Sequence, residues 1–224
     1  MPTWLVTIVD ALPSRCIEVC TAFSYEATPG APAVFVSAGH CFDGPFRGRG
    51  HAVVLERLGD ALKLNCTVAY LDFSELADDA ILDCPGAVGV VGLRPAPPGR
   101  AVLSLSIAAA GFLLDGYSSH RITSSQYALV TLLARVGNAA GSLSECAAAG
   151  AESKATASCN STRRSSPLQR GVAGFLNRAV AHGMSGGPVL DMQCRVVGIT
   201  SAHTCGVGIF VGLSGVDARA RLGA

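Results

Sequence analysis

The feature that most constrains how this chain can fold is a succession of short β-prone segments separated by turn residues. The segments are rich in Val, Ile, Leu and aromatic residues, and Gly59 with Asp60 makes a tight turn between two of them. In the first half of the chain they cover residues 4–9, 17–23, 33–38, 52–58, 61–71 and 80–83. So many short strands predict an all-β barrel or sandwich rather than alternating helices and strands.

The clearest break in the chain is the proline-rich segment 93–100, which is typical of a linker. It divides the sequence into a first part, residues 1–94, and a second part, residues 95–224. Strands are predicted in the second part over 101–106 and 127–136. Residues 138–167 are rich in Ala, Ser and Gly, which predicts a long surface loop.

Composition limits the classes of partner. Half of the 224 residues are hydrophobic and 15% are charged, which is enough for a large core and argues against disorder. The formal net charge is +1 and no basic stripe is present, so we expect no nucleic-acid partner. No apolar run approaches the roughly 20 residues of a membrane-spanning helix, so we expect no membrane partner.

The first residues do not follow the pattern of a signal peptide. Asp10 interrupts their short apolar run, and no basic leader precedes it. We therefore expect either an intracellular protein or a mature domain released from a longer precursor.

A histidine, an acidic pair and a serine follow one another along the chain, each in its own local setting. His40 ends the strand-like segment 33–38, and Ser185 lies in the glycine-rich sequence Gly-Met-Ser-Gly-Gly-Pro at 183–188. A serine hydroxyl needs a base to act as a nucleophile, and its oxyanion needs donors, which the N–H groups of Gly183 and Ser185 could supply. Taken alone, His40 is as well explained as a buried core histidine, and Ser185 as an incidental serine of a turn.

The acid that orients the base is Asp78 or Asp79. Both precede the apolar strand-like residues 80–82, which would anchor them. Strand side chains alternate between faces, so only one of the two can face His40. Asp78 is the favoured candidate and Asp79 the alternative.

These three segments resemble the trypsin/chymotrypsin-like serine proteases. The family's histidine motif, a run of small residues ending in His-Cys, matches 37–41; its Asp-x-Ala-aliphatic-aliphatic motif matches 78–82; and its Gly-x-Ser-Gly-Gly-Pro motif matches 183–188. The strand that follows the serine in the family is similar to 196–201. The resemblance spans nearly the whole chain.

The resemblance implies a fold and an activity. The expected fold is all-β, with two antiparallel six-stranded β-barrels of chymotrypsin type over 1–94 and 95–224 and a short C-terminal helix over 217–222. The expected activity is endopeptidase hydrolysis of a polypeptide through an acyl-enzyme. Ser185 would be the nucleophile, His40 the general base and Asp78 the orienting acid, with no metal or organic cofactor.

The chain departs from the family in two places. Members activated by cleavage usually carry an Asp before the nucleophile, where this chain has Met184, and they start with Ile-Val-Gly-Gly, which this chain lacks. We therefore expect a protease domain that reaches its active form without amino-terminal trimming. In this respect it is similar to bacterial housekeeping and viral chymotrypsin-like proteases.

Alignment with the family also predicts a primary specificity pocket. Ala179 falls at its base, and Ser201 and His203 fall along its wall. A preference for Arg or Lys requires an acid at the base, so Ala179 predicts small or apolar side chains, with His203 leaving a polar one open.

Nine cysteines leave at least one unpaired if disulfides form. The family's histidine-loop disulfide implies a bridge between Cys20 and Cys41. Further candidate bridges are Cys146–Cys159 and Cys194–Cys205, while Cys16, Cys66 and Cys84 have no assignment. The alternative is that all nine are reduced thiols.

Three other functional classes fit parts of the sequence. The Gly-x-Ser-x-Gly sequence also fits an α/β-hydrolase, but that fold orders its triad Ser, acid, His, and too little chain follows Ser185. A catalytically silent protease fold used for binding is the alternative from a second class. A cysteine-based metal or redox module is the third; Cys16 and Cys20 have no second pair at metal-like spacing.

Overall fold

The structure is a computed structural model of the whole chain. It describes residues 3–9, 18–26, 29–30, 33–43, 52–57, 62–74, 77–97, 106–114, 127–137, 172–176, 180–181, 183–204, 207–213 and 216. Within these ranges the chain is nearly all β, as the sequence predicts. The strands are β1 Thr3–Val9, β2 Glu18–Tyr25, β3 Val34–Ser37, β4 Ala52–Arg57, β5 Leu62–Phe73, β6 Asp78–Asp83, β7 Ser106–Leu114, β8 Tyr127–Gly137, β9 Val172–Leu176, β10 Pro188–Leu190, β11 Val196–Thr204 and β12 Val207–Val211.

The first sheet is built from β1 to β6, in the order β1-β2-β3-β6-β5-β4. All its strand pairs are antiparallel, and β1 pairs with both β2 and β4, so the sheet closes into a barrel. The central pairing for function is β3 with β6, because Ser37 lies opposite Ala80. This register brings the end of β3, which leads to His40, next to the start of β6, which carries Asp78.

The second sheet is built from β7 to β12, in the order β10-β11-β12-β9-β8-β7. Its pairs are also antiparallel, and β10 pairs with both β11 and β7. Strand β10 begins at Pro188, directly after the glycine-rich turn that contains Ser185. The serine therefore enters from the second sheet, and His40 and Asp78 come from the first.

The core is apolar and follows the alternation expected of strands. In β5, for example, Leu64 and Cys66 are buried while their neighbours Lys63, Asn65 and Thr67 are exposed. The largest fully buried side chains in the first sheet are aromatic: Trp4, Phe23, Tyr25 and Phe35. A second buried cluster, which includes Ile107, Met184 and Phe210, fills the second sheet.

Helix is almost absent from the described residues. The 3-10 helix Gly39–Phe42 follows β3, and Val216 is helical. The predicted terminal helix over 217–222 and the predicted loop over 138–167 lie outside the described residues. No helix within the described ranges is long and apolar enough to span a membrane.

Candidate active site

His40 lies in the 3-10 helix that follows β3. Its side chain is 26% exposed, whereas the neighbouring residues Gly39, Cys41 and Phe42 are buried. Cys41 forms a disulfide with Cys20 in β2, as the family resemblance implies. The imidazole is therefore carried by a well-anchored backbone and still reaches solvent on one side.

Asp78 is the carboxylate that contacts His40. Its Oδ2 lies 2.8 Å from His40 Nδ1, and its Oδ1 accepts a hydrogen bond of 2.7 Å from the backbone N–H of His40. The Asp78 side chain is fully buried. The two contacts fix both the position of the histidine and the tautomer that carries its proton on Nδ1.

The environment of Asp78 favours its charged form. Burial by itself would raise the pKa of this carboxyl group, but the charge of His40 and hydrogen bonds from His40 and Ser201 outweigh it, so that the pKa is lowered below 3.8. The group is thus an ionised acceptor at neutral pH.

Asp79 faces a different part of the molecule. Its Oδ2 accepts a hydrogen bond of 3.1 Å from the backbone N–H of Val216, and its Oδ1 is buried without a hydrogen-bond partner among the described residues. Burial, together with repulsion from Asp72 opposite it in β5, raises the pKa of Asp79 to about 6. Adjacent carboxyl groups on one strand thus lie in opposite electrostatic environments.

Ser185 lies at the tip of the turn before β10, and it is partly exposed. Its hydroxyl donates to the carbonyl of Ser201 at 3.2 Å. The hydroxyl of Ser201 in turn donates to Asp78 Oδ2, the same oxygen that contacts His40. Ser201 therefore joins the serine to the His40–Asp78 pair across the seam between the sheets.

The backbone amides of the serine turn fall into two groups. The N–H groups of Met184, Gly186 and Gly187 donate to backbone carbonyls. Among the described residues, none accepts a hydrogen bond from the N–H of Gly183 or Ser185. These are the two groups that the sequence predicts for the oxyanion hole, and Gly183 adopts φ +95, which favours glycine.

The residues predicted to form the specificity pocket are only partly described. Ala179 lies outside the described residues, and the backbone of His203 lies in β11 opposite Gly208. Ser201 is buried, with its hydroxyl on Asp78. The sequence did not predict this contact. The apolar pattern of β11 is enough to align the strand with the family, but it does not show that Ser201 bonds an aspartate in the other sheet.

Met184, directly before the serine, is 2% exposed and belongs to the apolar cluster of the second sheet. An apolar side chain at this position can stabilise the turn by packing, without an ion pair.

The described cysteines agree with one predicted bridge and contradict another. Besides Cys20–Cys41, a disulfide joins Cys66 and Cys84, which the sequence left unassigned. Cys194 is an exposed free thiol, so the predicted Cys194–Cys205 bridge is wrong. The predicted Cys146–Cys159 bridge lies outside the described residues.

One group of described residues has the spacing of a metal site. Ligand atoms of Cys20, His40 and Cys41 lie within 4.8 Å of one another. The two sulfurs form a disulfide with each other, and His40 Nδ1 contacts Asp78. Disulfide sulfurs are not thiolates, so they are unsuited to bind a metal ion.

Solved structures of the Rv3671c protease from M. tuberculosis share this architecture. The active form matches with a TM-score of 0.61 and 17% sequence identity, over 99% of this chain and 80% of that chain. The inactive form of a serine-to-alanine mutant matches with a TM-score of 0.60 and 16% identity, over 100% of this chain and 88% of that chain. The chain has the fold of this protease.

At this level of identity the likeness concerns the fold. No family model matches the chain, and no curated protein matches it by sequence.

Proposed function

We propose that this chain is a serine endopeptidase in which Ser185, His40 and Asp78 form the catalytic triad. The observation that carries the proposal is the contact of 2.8 Å between His40 Nδ1 and Asp78 Oδ2. This contact lies at the seam where the serine turn of the second sheet meets the first sheet. The protease fold of Rv3671c supports the assignment.

In the first half of the reaction, Ser185 Oγ attacks the carbonyl carbon of the scissile peptide bond. His40 Nε2 takes the hydroxyl proton, and Asp78 stabilises the imidazolium that forms. The N–H groups of Gly183 and Ser185 donate to the oxyanion of the tetrahedral intermediate. The hydroxyl leaves the Ser201 carbonyl, which it contacts at 3.2 Å in the free protein, and donates to His40 when substrate binds.

The intermediate then collapses. The C–N bond breaks, His40 gives its proton to the leaving amine, and the acyl group stays on Ser185. In the second half a water molecule, deprotonated by His40, attacks the ester carbonyl. The C–O bond to Ser185 then breaks, His40 returns the proton to Ser185 Oγ, and the carboxylic acid product is released. No step requires a cofactor.

We infer that the two sheets are the two β-barrels of a chymotrypsin-type protease, divided after residue 94. The linker supports this boundary. Leu93 exchanges backbone hydrogen bonds with Ser24 and Glu26 of the first part, while the Arg94 carbonyl accepts from the N–H of Val196 in the second. The site would then lie between the barrels, with Ala179, Ser201 and His203 as pocket residues.

We also propose that the site forms without amino-terminal trimming. The burial of Met184 in the second core gives the turn an apolar anchor in place of an ion pair. The hydrogen bonds that hold the turn come from residues 21, 181, 187 and 200.

A fluorophosphonate probe tests the nucleophile. We expect the wild-type protein to be labelled at Ser185, as located by mass spectrometry of the modified peptide. Ser185→Ala should lose both the label and cleavage of a fluorogenic peptide library. Ser74→Ala, which changes an exposed serine directly after β5, is the matched control and should behave as the wild type.

The library also tests the pocket, because strong cleavage after Arg would contradict Ala179 at its base. A folded wild-type protein that neither labels nor cleaves any peptide would overturn the enzyme assignment and favour a protease fold used for binding.

A further inference from the structure

Thr21 of β2 is a residue of the first sheet that bonds the serine turn of the second. It is fully buried. Its hydroxyl donates to the carbonyl of Gly183 at 2.7 Å and accepts from the N–H of Phe112 in β7 at 2.9 Å. Both hydrogen-bonding functions of this hydroxyl are therefore used between the sheets, and the hydroxyl is aligned from both sides.

The main chain of Thr21 bonds the same turn. Its N–H donates to the carbonyl of Ser185 at 2.7 Å, and its own carbonyl accepts from the hydroxyl of Ser37 at 2.8 Å. Side chain and backbone of Thr21 thus hold two carbonyls on either side of Met184. Ser37, at the end of β3, in turn holds Thr21.

These bonds determine where the amides of the turn can point. The carbonyls of Gly183 and Ser185 are held by Thr21, and the carbonyl between them, from Met184, accepts from Gly187 N–H at 3.0 Å. Each peptide unit is planar, so the Thr21 bonds fix the units Gly183–Met184 and Ser185–Gly186, and the bond from Gly187 fixes the unit between them, which carries the Ser185 N–H. The Gly183 N–H belongs to the preceding unit, which adjoins the unit that Thr21 holds through the φ and ψ of Gly183. The carbonyls are turned into the protein, and the N–H groups of Gly183 and Ser185 find no acceptor among the described residues.

Gly183 needs such an external constraint. It adopts φ +95, and a glycine has no side chain to limit rotation about its backbone bonds. The buried hydroxyl of Thr21 supplies the constraint by donating to the Gly183 carbonyl at 2.7 Å. Rotation of the Gly183 carbonyl would leave both groups unpaired in the core, which is unfavourable.

We propose that Thr21 is a positioning residue for the oxyanion hole, acting from the opposite sheet through the Gly183 carbonyl. The inference rests on the proposed peptidase function. Thr21 is fully buried and acts indirectly: it anchors the peptide units that adjoin the N–H groups of Gly183 and Ser185, and so keeps these groups aimed at the developing oxyanion. Its loss should therefore weaken binding of the transition state and leave binding of the substrate unchanged.

The test compares three variants at Thr21 by their kcat and KM on one fluorogenic peptide. Thr21→Val keeps the shape and removes the hydroxyl, and kcat should fall about 10- to 100-fold, which is less than the loss of an oxyanion donor itself. KM should stay within the error of the wild-type value. Thr21→Ser keeps the hydroxyl and should restore kcat. Thr21→Ala, which places no methyl group against the Phe112 amide, covers the case in which Thr21→Val does not fold.

A second readout separates positioning from a merely structural role. A peptide aldehyde, whose hemiacetal places an oxyanion in the hole, should bind Thr21→Val more weakly by the same factor as the fall in kcat. The uncharged peptide amide of the same sequence, measured against Ser185→Ala with and without Thr21→Val, should bind both equally. All variants are assayed well below their unfolding temperatures.

The outcomes distinguish this inference from the proposed function. Wild-type kcat in a folded Thr21→Val or Thr21→Ala protein would overturn the inference and leave the peptidase intact. A Thr21→Ser protein as impaired as Thr21→Val would also overturn it, because packing rather than the hydroxyl would then matter. A wild-type protein without activity or labelling would overturn the proposed function itself.

Discussion

The two halves of the proposed catalytic site are held in place by different kinds of interaction. In the first sheet, His40 and Asp78 are joined by a charged pair and by side-chain hydrogen bonds. In the second sheet, the turn around Ser185 is held by bonds to backbone carbonyls and by glycines packed too closely for a side chain. The first half depends on which atoms two side chains carry, whereas the second depends mainly on backbone bonds and close-packed glycines, with the Thr21 hydroxyl bonding the turn from the first sheet.

The two halves of the site are therefore sensitive to different substitutions. A substitution that keeps the shape of Asp78 but changes its charge should disable the first half while the fold survives. A single added methyl group should disable the second half by preventing the turn from closing. Removing the charge of Asp78 or of the adjacent Asp79 then tests whether activity depends on the one carboxylate that contacts His40 or on the charge of the whole first sheet.

The largest effect is expected from Asp78→Asn. The amide cannot hold the histidine tautomer with its proton on Nδ1, so kcat should fall by about 10⁴-fold. Asp79→Asn, one residue away, is the matched control, and its activity at pH 8 should be close to wild type. The measurement is the initial rate on a fluorogenic peptide, with folding checked by circular dichroism. Equal losses in the two variants would show that Asp78 has no special role.

The next largest effect is expected on the free energy of unfolding of Gly186→Ala. Gly186 adopts φ +84, and a Cβ there would overlap the carbonyl of Thr21 and the hydroxyl of Ser37. A left-handed conformation alone costs roughly 1–2 kcal/mol. Gly186→Ala should lower the free energy of unfolding by more than this, by several kcal/mol, because backbone atoms must move to make room for the Cβ.

Gly30→Ala is the control for that comparison. Gly30 has nearly the same φ, +83, but no atom of the described residues lies within 4 Å of the position that a Cβ would occupy there. Only the conformational cost of about 1–2 kcal/mol should appear. Urea unfolding measures both variants, and equal losses would mean that crowding between the sheets is not what closes the turn.

The smallest effect is expected from Asp79→Asn on the pH dependence of stability. The pKa of Asp79 in the folded protein is about 6, against 3.8 for an ordinary aspartate. Folding therefore takes up a proton between these values, and the free energy of unfolding falls as pH rises from about 4 to 6. Asp79→Asn should remove this dependence and gain on the order of 1–3 kcal/mol at pH 8, with no gain at pH 4.

Asp78 contributes to the pH dependence of stability with the opposite sign and over a lower pH range. Its pKa lies below 3.8, so the stability it adds is present above that value and is lost as pH falls through its folded pKa. Urea unfolding at pH 4, 6 and 8 separates the two groups, since only Asp79 of the pair titrates over that range. A pH dependence that survives in Asp79→Asn would have to come from another group.

Much of the fold followed from local pattern. The β character of the first sheet came from runs of β-prone residues, and the segments around β1 to β6 were all predicted. In the second sheet, the strand predicted over 101–106 overlaps β7 only at Ser106. Strand β9, Val172–Leu176, was not predicted. It is short and contains Gly174, and its status depends on pairing with β8 and β12, which is a property of the assembled sheet.

The candidate site was predictable to the extent that its residues lie in short motifs. His40, Asp78 and Ser185 were each identified from their neighbours, and the Cys20–Cys41 bridge was implied by the family resemblance. The Cys66–Cys84 bridge was not predicted, because it depends on the pairing of β5 with β6. The predicted Cys194–Cys205 bridge would close a hairpin, and the free thiol of Cys194 shows that it does not form.

The sequence by itself determined which residues are able to do chemistry and which segments become strands, because nucleophile, base, acid, glycine and β-propensity are properties of single residues and their neighbours. Only the tertiary structure decided how these residues meet. Thr21 bonds Gly183 across 162 positions, and Ser201 bonds Asp78 across 123. Such contacts depend on two sheets packing together, and no local pattern encodes the register of one sheet against another.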